Sequence, residues 1–296
     1  MSRAISYNDV KIIEKKAVKI GDSVFDNFIS EQGGIELGTM IALAGTPGAG
    51  KTTLCKKIQK DLGRTDESVF YSLESRKSSV ARQTKRISTS ENEKICDVDD
   101  FSTWSSFMNY INEEKPLMVI VDSLQHAATL LSEENGKHKY DNYKQIVKDL
   151  YGWKDVNQGI VILIVQLNAN GGVEGPMATI FDVDCPIFLT ADPKTNERTM
   201  HTEKNRMGPI GKIYYEFVSD DRCFNFITEK DWNSKSEDDS MIEPLWREIN
   251  TVIQKIKTTN KGLYKKIEKD INKIDCEEDI DFLIEVMKLT KPAYIS

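Results

Sequence analysis

Gly45-Thr46-Pro47-Gly48-Ala49-Gly50-Lys51-Thr52 places glycine, glycine, lysine and threonine at the spacing G-x-x-x-x-G-K-[ST]. Glycines let successive backbone N–H groups turn toward one point, a lysine adds a cation, and the next residue adds a hydroxyl. Those are the groups that hold a chain of phosphates and the metal ion travelling with it. The spacing predicts that Gly45 through Thr53 cradle a nucleoside triphosphate, with Lys51 on the outer phosphates and Thr52 on Mg²⁺. Such a loop hydrolyses nothing alone; it also needs a carboxylate on the metal side and a group that handles water. Asp122 follows the apolar run Leu117 to Val121 and is expected as the second Mg²⁺ ligand. Glu74 follows Val69 to Leu73 and is expected to orient or deprotonate the attacking water. Gln166 closes Ile160 to Val165, where an uncharged amide reports on the γ-phosphate.

For these side chains to meet, the runs that carry them must be neighbouring strands of one sheet. The runs Thr39–Ala44, Ser68–Leu73, Leu117–Val121, Ile160–Val165 and Ile187–Leu189 are apolar on both faces, and helix-like patterns separate most of them. That alternation predicts an α/β fold with a mostly parallel sheet covered on both sides, whose carboxyl edge gathers the functional residues. Beyond Asp192 the runs shorten and alternate, at Thr199–Glu203, Lys212–Phe217 and Cys223–Ile227, which predicts an antiparallel extension of the same sheet. Residues 1–38 read as a leading segment with a short amphipathic helix around Val24, Phe25, Phe28 and Ile29. The core is expected over 39–230, a polar linker over 231–240 and a helical C-terminal appendage over 241–296.

The chain has 296 residues, 39% of them hydrophobic, which suits one substantial core and a small appendage. A formal net charge of -7 argues against indiscriminate coating of nucleic acid, which needs a broad positive surface, and leaves room for a local basic channel. Five cysteines without a C-x-x-C pair and three isolated histidines read as reduced thiols with no structural zinc. No apolar run approaches the roughly 20 residues of a membrane span, and no signal peptide is evident, so we expect a soluble, cytoplasmic protein with no membrane partner.

With these residues placed, the chain resembles the RecA-fold ATPases, and among them the bacterial RadA (Sms) proteins, with DnaB-type helicases as near relatives. Tyr71-Ser72-Leu73-Glu74-Ser75 is similar to the RadA S-G-E-E-S and DnaB S-L-E segments, and Val119-Ile120-Val121-Asp122-Ser123-Leu124-Gln125 resembles the RadA run I-I-D-S-I-Q. Gln166-Leu167-Asn168 is similar to the DnaB Q-L-N motif, and Gly172-Val173-Glu174-Gly175-Pro176 to the RadA segment G-x-I-A-G-P. Lys204-Asn205-Arg206-Met207-Gly208 resembles the RadA signature K-N-R-F-G, with Met207 in place of its phenylalanine. The resemblance implies a RecA-like P-loop NTPase core using ATP and Mg²⁺, with Glu74 as the catalytic glutamate. It further implies that Lys204 and Arg206 reach a neighbouring subunit's ATP. The amino-terminal zinc module and carboxy-terminal protease-like domain of RadA, and the DnaB collar, have no counterpart in the sequence.

The resemblance also implies a homo-oligomer, a hexameric ring, acting on single-stranded DNA through loops expected at His126–Tyr140 and Asn168–Pro176. Arg76, Lys77, Arg82, Lys85 and Arg86 follow the Glu74 strand; they read either as a solvated basic face or as a nucleic-acid contact feeding the catalytic glutamate. Two functions follow: a DNA-stimulated motor of recombination, repair or replication, or an ATP-gated interaction or helicase-loading protein of KaiC type. The Lys- and Glu-rich tail reads either as a solvated helical face or as a contact for a protein partner, and its lack of a counterpart in the resembled families motivates the second function.

Overall fold

Strands buried on both faces still alternate their side chains, and this divides the core into two layers. In the computed structural model, residues 16–234 are described except 64, 84–86, 88, 89, 169–179, 181, 193, 194, 196, 220 and 221. Ile41, Leu43, Phe70, Ile120, Ile162 and Ile164 point into one layer, while Ala42, Ala44, Val69, Tyr71, Val119, Val121 and Leu163 point into the other. Each fully buried branched side chain contributes about 1.5–3 kcal/mol relative to exposure.

In chain order the strands are β1 (Ala17–Val18), β2 (Ile35–Glu36), β3 (Met40–Gly45), β4 (Ser68–Ser72), β5 (Glu93–Asp97), β6 (Met118–Asp122) and β7 (Ile160–Gln166). They continue as β8 (Cys185–Ala191), β9 (Arg198–Thr202), β10 (Gly211–Phe217) and β11 (Phe224–Thr228). The helices are α1 (Ser23–Ile29), α2 (Lys51–Leu62), α3 (Lys77–Gln83), α4 (Trp104–Glu114), α5 (Leu124–Asn135) and α6 (Lys139–Asn157). Nine strands form one sheet in the order β11-β10-β9-β8-β3-β7-β6-β4-β5, and β1 and β2 form a separate antiparallel pair. Strands β8 through β5 in that order run parallel, and β9, β10 and β11 add the antiparallel extension. Helices α1 and α2 contribute to one layer, α4, α5 and α6 to the other.

The expected strands are all present, and β5 adds one that the apolar pattern did not mark. Its sequence Glu-Lys-Ile-Cys-Asp is only half-buried at the sheet edge, so hydrogen bonding to β4 holds it in place of an apolar run. The expected loop at His126–Tyr140 is corrected: Leu124–Asn135 is helical, with Ala127, Ala128 and Leu131 buried against the core, and only residues 136–138 connect it to α6. The other expected DNA loop, around Asn168–Pro176, lies mostly outside the described residues. So does the tail: residues 229–234 are helical and open a second compact unit, 229–296, of which the rest is not described. Among the described residues, no helix is long and apolar enough to cross a membrane.

Candidate functional site

Register alone assembles the site. Gly45 pairs with Gln166 across β3 and β7, Asp122 of β6 pairs with Ile164 of β7, and Ser72 of β4 pairs with Asp122. Three strands therefore end side by side at the carboxyl edge around the loop that leaves β3. The amides of Leu73 and Glu74 both donate to the Asp122 carbonyl, at 2.7 and 3.1 Å, and this turns the chain so that Glu74 faces the loop. A cavity of about 480 Å³ results, lined by Pro47, Gly48, Gly50, Lys51, Thr52 and Thr53 of the loop, by Glu74, Asp122 and Gln166, and by Phe217.

The loop's own geometry follows from its residue types. Gly48 and Gly50 adopt φ of 80° and 93°, left-handed values that side-chain-bearing residues resist, and a Cβ at Gly50 would meet the Phe217 ring at 2.6 Å. Lys51 Nζ donates to the carbonyls of Gly45 and Thr46 at 2.7 and 3.0 Å, while the Ala49 amide donates to Thr46. Burial lowers the Lys51 pKa, and the charges of Asp122 and Glu74 work against that fall. Thr52 Oγ1 donates to Asp122 Oδ2 at 2.9 Å. Burial pushes the Asp122 carboxyl up to about 6; the Thr52 bond pulls the other way, and the Glu74 charge adds to the rise.

Asp122 Oδ1 is buried and has no hydrogen-bond partner among the described residues. A buried acceptor of this kind is costly unless something electropositive meets it. A hydroxyl and a carboxylate oxygen of this kind are the hard oxygen donors that Mg²⁺ takes, so Thr52 and Asp122 fit the expected ion.

Several residues of the site were not marked by sequence spacing. Gln125, buried on α5, clamps the last residue of β7: its Nε2 donates to the Gln166 carbonyl at 3.0 Å and its Oε1 accepts from the Gln166 amide at 3.2 Å. It closes the run Val119–Gln125, in which no local pattern tells what its amide holds. From the antiparallel extension, the Tyr215 hydroxyl donates to the Ala49 carbonyl at 2.6 Å. The Arg198 guanidinium lies 4.7 Å from the Phe217 ring centroid and reaches the Gly48 carbonyl at 3.4 Å. Phe217 is 39% exposed, an apolar wall beside the phosphate loop.

Lys204 and Arg206 stand elsewhere. The Arg206 amide donates to the Asp184 carbonyl and its NH1 to Asp184 Oδ1 at 3.0 Å, while Lys204 Nζ donates to the Val183 carbonyl at 2.6 Å. Asp184 in turn accepts from the Met40 amide, at the opposite end of β3 from the phosphate loop. Five residues of strand at about 3.3 Å each put roughly 17 Å between them. The basic cluster after Glu74 is partly neutralised: Arg76 pairs with Asp99, and Lys77 with Asp100 at 2.5 Å. Arg82 is exposed, and Lys85 and Arg86 lie outside the described residues.

The family described as "ATPase: KaiC" matches residues 18–231, the span that contains every strand of this sheet. This chain belongs to the KaiC ATPase family. Its KaiC-type core is similar to the DNA repair protein RadA of Haemophilus influenzae, 24% identical over 70% of this chain and 44% of that protein. The RadA of Helicobacter pylori strain J99 is likewise 24% identical, over 70% of this chain and 46% of its own length. The chain thus spans under half the length of these curated relatives. Among solved structures, a KaiC-like protein of the archaeon Pyrococcus horikoshii OT3 shares the fold, with a TM-score of 0.57 and 19% identity over 72% of this chain and 99% of that one. The RecA-like α/β core with its antiparallel extension is the fold of this family.

Proposed function

We propose that this KaiC-family core hydrolyses ATP in an assembly of like subunits and acts on single-stranded DNA. The observation that carries the first half is the convergence of Lys51, Thr52, Glu74, Asp122 and Gln166 on one cavity. Lys51 would leave the loop carbonyls to hold the outer phosphates. Thr52 and Asp122 would hold Mg²⁺, which when bound neutralises charge developing on the phosphates. Glu74, exposed in the cavity, orients the attacking water and accepts its proton, while Gln166 stands where it can contact the γ-phosphate.

The assembly is supported by the placement of Lys204 and Arg206. Some 17 Å of strand, at about 3.3 Å per residue, is more than one arginine side chain spans. An ATP phosphate that Arg206 touches would therefore belong to a neighbour's loop, where its planar fork suits the charge of phosphoryl transfer. Action on DNA is supported by the RadA relatives, named as DNA repair proteins. A second reading, an ATP-gated interaction protein, is favoured by the KaiC family match and by the net charge of -7.

The test is the ATPase rate with and without single-stranded DNA, alongside mass measurement of the assembled species. The motor reading expects a rate that rises several-fold with DNA and a species of several subunits. A rate unmoved by DNA at low salt, with assembly still driven by ATP, would establish the second reading.

A further inference from the structure

Asp184 precedes β8 and gathers four donors from three separate segments. Its Oδ2 accepts from the Met40 amide at 2.9 Å and lies 3.2 Å from Lys154 Nζ. Its Oδ1 accepts from the Tyr151 hydroxyl at 2.8 Å and from Arg206 NH1 at 3.0 Å. Burial alone would raise the pKa of this carboxyl, but the Met40, Tyr151, Lys154 and Arg206 donors outweigh it and hold it below the ordinary value. The carboxylate is also fixed from the main chain, since its amide donates to the Met40 carbonyl and its carbonyl accepts the Arg206 amide.

Arg206 is the exposed member by contrast. Its side chain is 58% exposed, that of Asp184 only 12%. Its side-chain hydrogen bonds among the described residues, to Asp184 and to the Tyr151 hydroxyl at 3.3 Å, run through NH1 alone. A guanidinium has five N–H donors in a rigid plane, so anchoring one nitrogen orients the rest of the fork outward. The turn carrying Arg206 is itself pinned: Asn205 Nδ2 donates to the carbonyls of Ile29 and Pro209 at 2.9 and 3.1 Å.

We propose that Asp184, with Tyr151, is the positioning pair that aims Arg206 out of the subunit toward a neighbour's phosphates. The pair acts through the arginine and touches no nucleotide in its own chain. This inference rests on the reading of Arg206 as a residue acting on a neighbour's site, and its test separates the two.

Asp184→Asn keeps the side chain's shape but offers one acceptor oxygen in place of two, so it can accept from Met40 or from Tyr151 and Arg206 but not from both, and it removes the charge. The full chain carrying Asp184→Asn, Tyr151→Phe, Arg206→Ala, or Asp184→Asn together with Arg206→Ala is assayed for kcat, for Kd of a fluorescent ATP analogue and for melting temperature. Expected is a kcat loss of about ten-fold or more for Asp184→Asn, with Kd within two-fold of wild type and no further loss on the Arg206→Ala background. Should Asp184→Asn fail to fold, Tyr151→Phe carries the same expectation at smaller size. A normal kcat in the folded Asp184 or Tyr151 variant, or an equal loss with and without Arg206, overturns the positioning role while Arg206→Ala remains slow. A wild-type rate for Arg206→Ala overturns the underlying reading instead.

Discussion

Asp122 and Gln125 sit on one strand-to-helix turn and answer different needs. Asp122 presents an unsatisfied oxygen to the cavity, whereas Gln125 spends its amide on the backbone of Gln166. Removing Gln125 leaves a part-buried N–H and C=O to find new partners, a cost of about 1–3 kcal/mol, and frees the end of β7 to shift. Gln125→Ala is therefore expected to slow hydrolysis by up to about 100-fold, since a displacement near 1 Å has that effect, while nucleotide affinity, set mainly by the loop, changes little. Equal losses in kcat and affinity in steady-state and binding assays would place Gln125 in nucleotide binding itself. Lys51, Thr52, Glu74, Asp122 and Gln166 were legible in the sequence because each sits in a local pattern, a loop spacing or the end of an apolar run. Gln125, Phe217, Arg198 and Asp184 act through partners 41, 150 or 144 positions away in several cases, and no local pattern encodes such a pairing.

At the scale of elements, strands buried on both faces were read correctly because Val, Ile and Leu runs bounded by polar residues allow little else. Strand β5 escaped because its polar composition matches an exposed edge. Helix α5 was expected as a loop on the strength of the resemblance, although Leu124, Ala127, Ala128 and Leu131 hold a helical spacing that its burial now explains. Helix α2 carries a further consequence in Lys56, which is buried, donates to Gln59 Oε1 at 2.8 Å and lies 4.3 Å from the Phe70 ring centroid. Burial, chiefly, lowers its pKa to about 8 from 10.5. Between those values the unfolded chain binds more protons than the folded one, so stability rises as pH rises. Urea unfolding of the wild type should show a gain on the order of 2 kcal/mol from pH 8 toward 10.5, and Lys56→Met should lack that gain. An identical slope in both proteins would assign the effect to other groups.

At the scale of the whole molecule, the proposed assembly has the sheet separate two halves of a site. The carboxyl edge holds the loop, Glu74, Asp122 and Gln166; the amino end of β3 holds Asp184 and, through it, Arg206. Repetition of the chain, head to tail, is the arrangement that brings the two halves together. The resemblance read from Lys204-Asn205-Arg206 pointed to sharing between subunits, and the distance along β3 supplies a physical reason for it. The most direct measurement mixes two defective proteins. Lys51→Ala removes the loop cation and Arg206→Ala the outward arginine, each expected to cut hydrolysis on the order of 10³-fold. Co-assembled in equal amounts, they should recover activity at roughly a quarter of the interfaces, where an intact loop faces an intact arginine. No recovery at any mixing ratio, with both proteins shown by mass to occupy the same assemblies, would contradict the shared site.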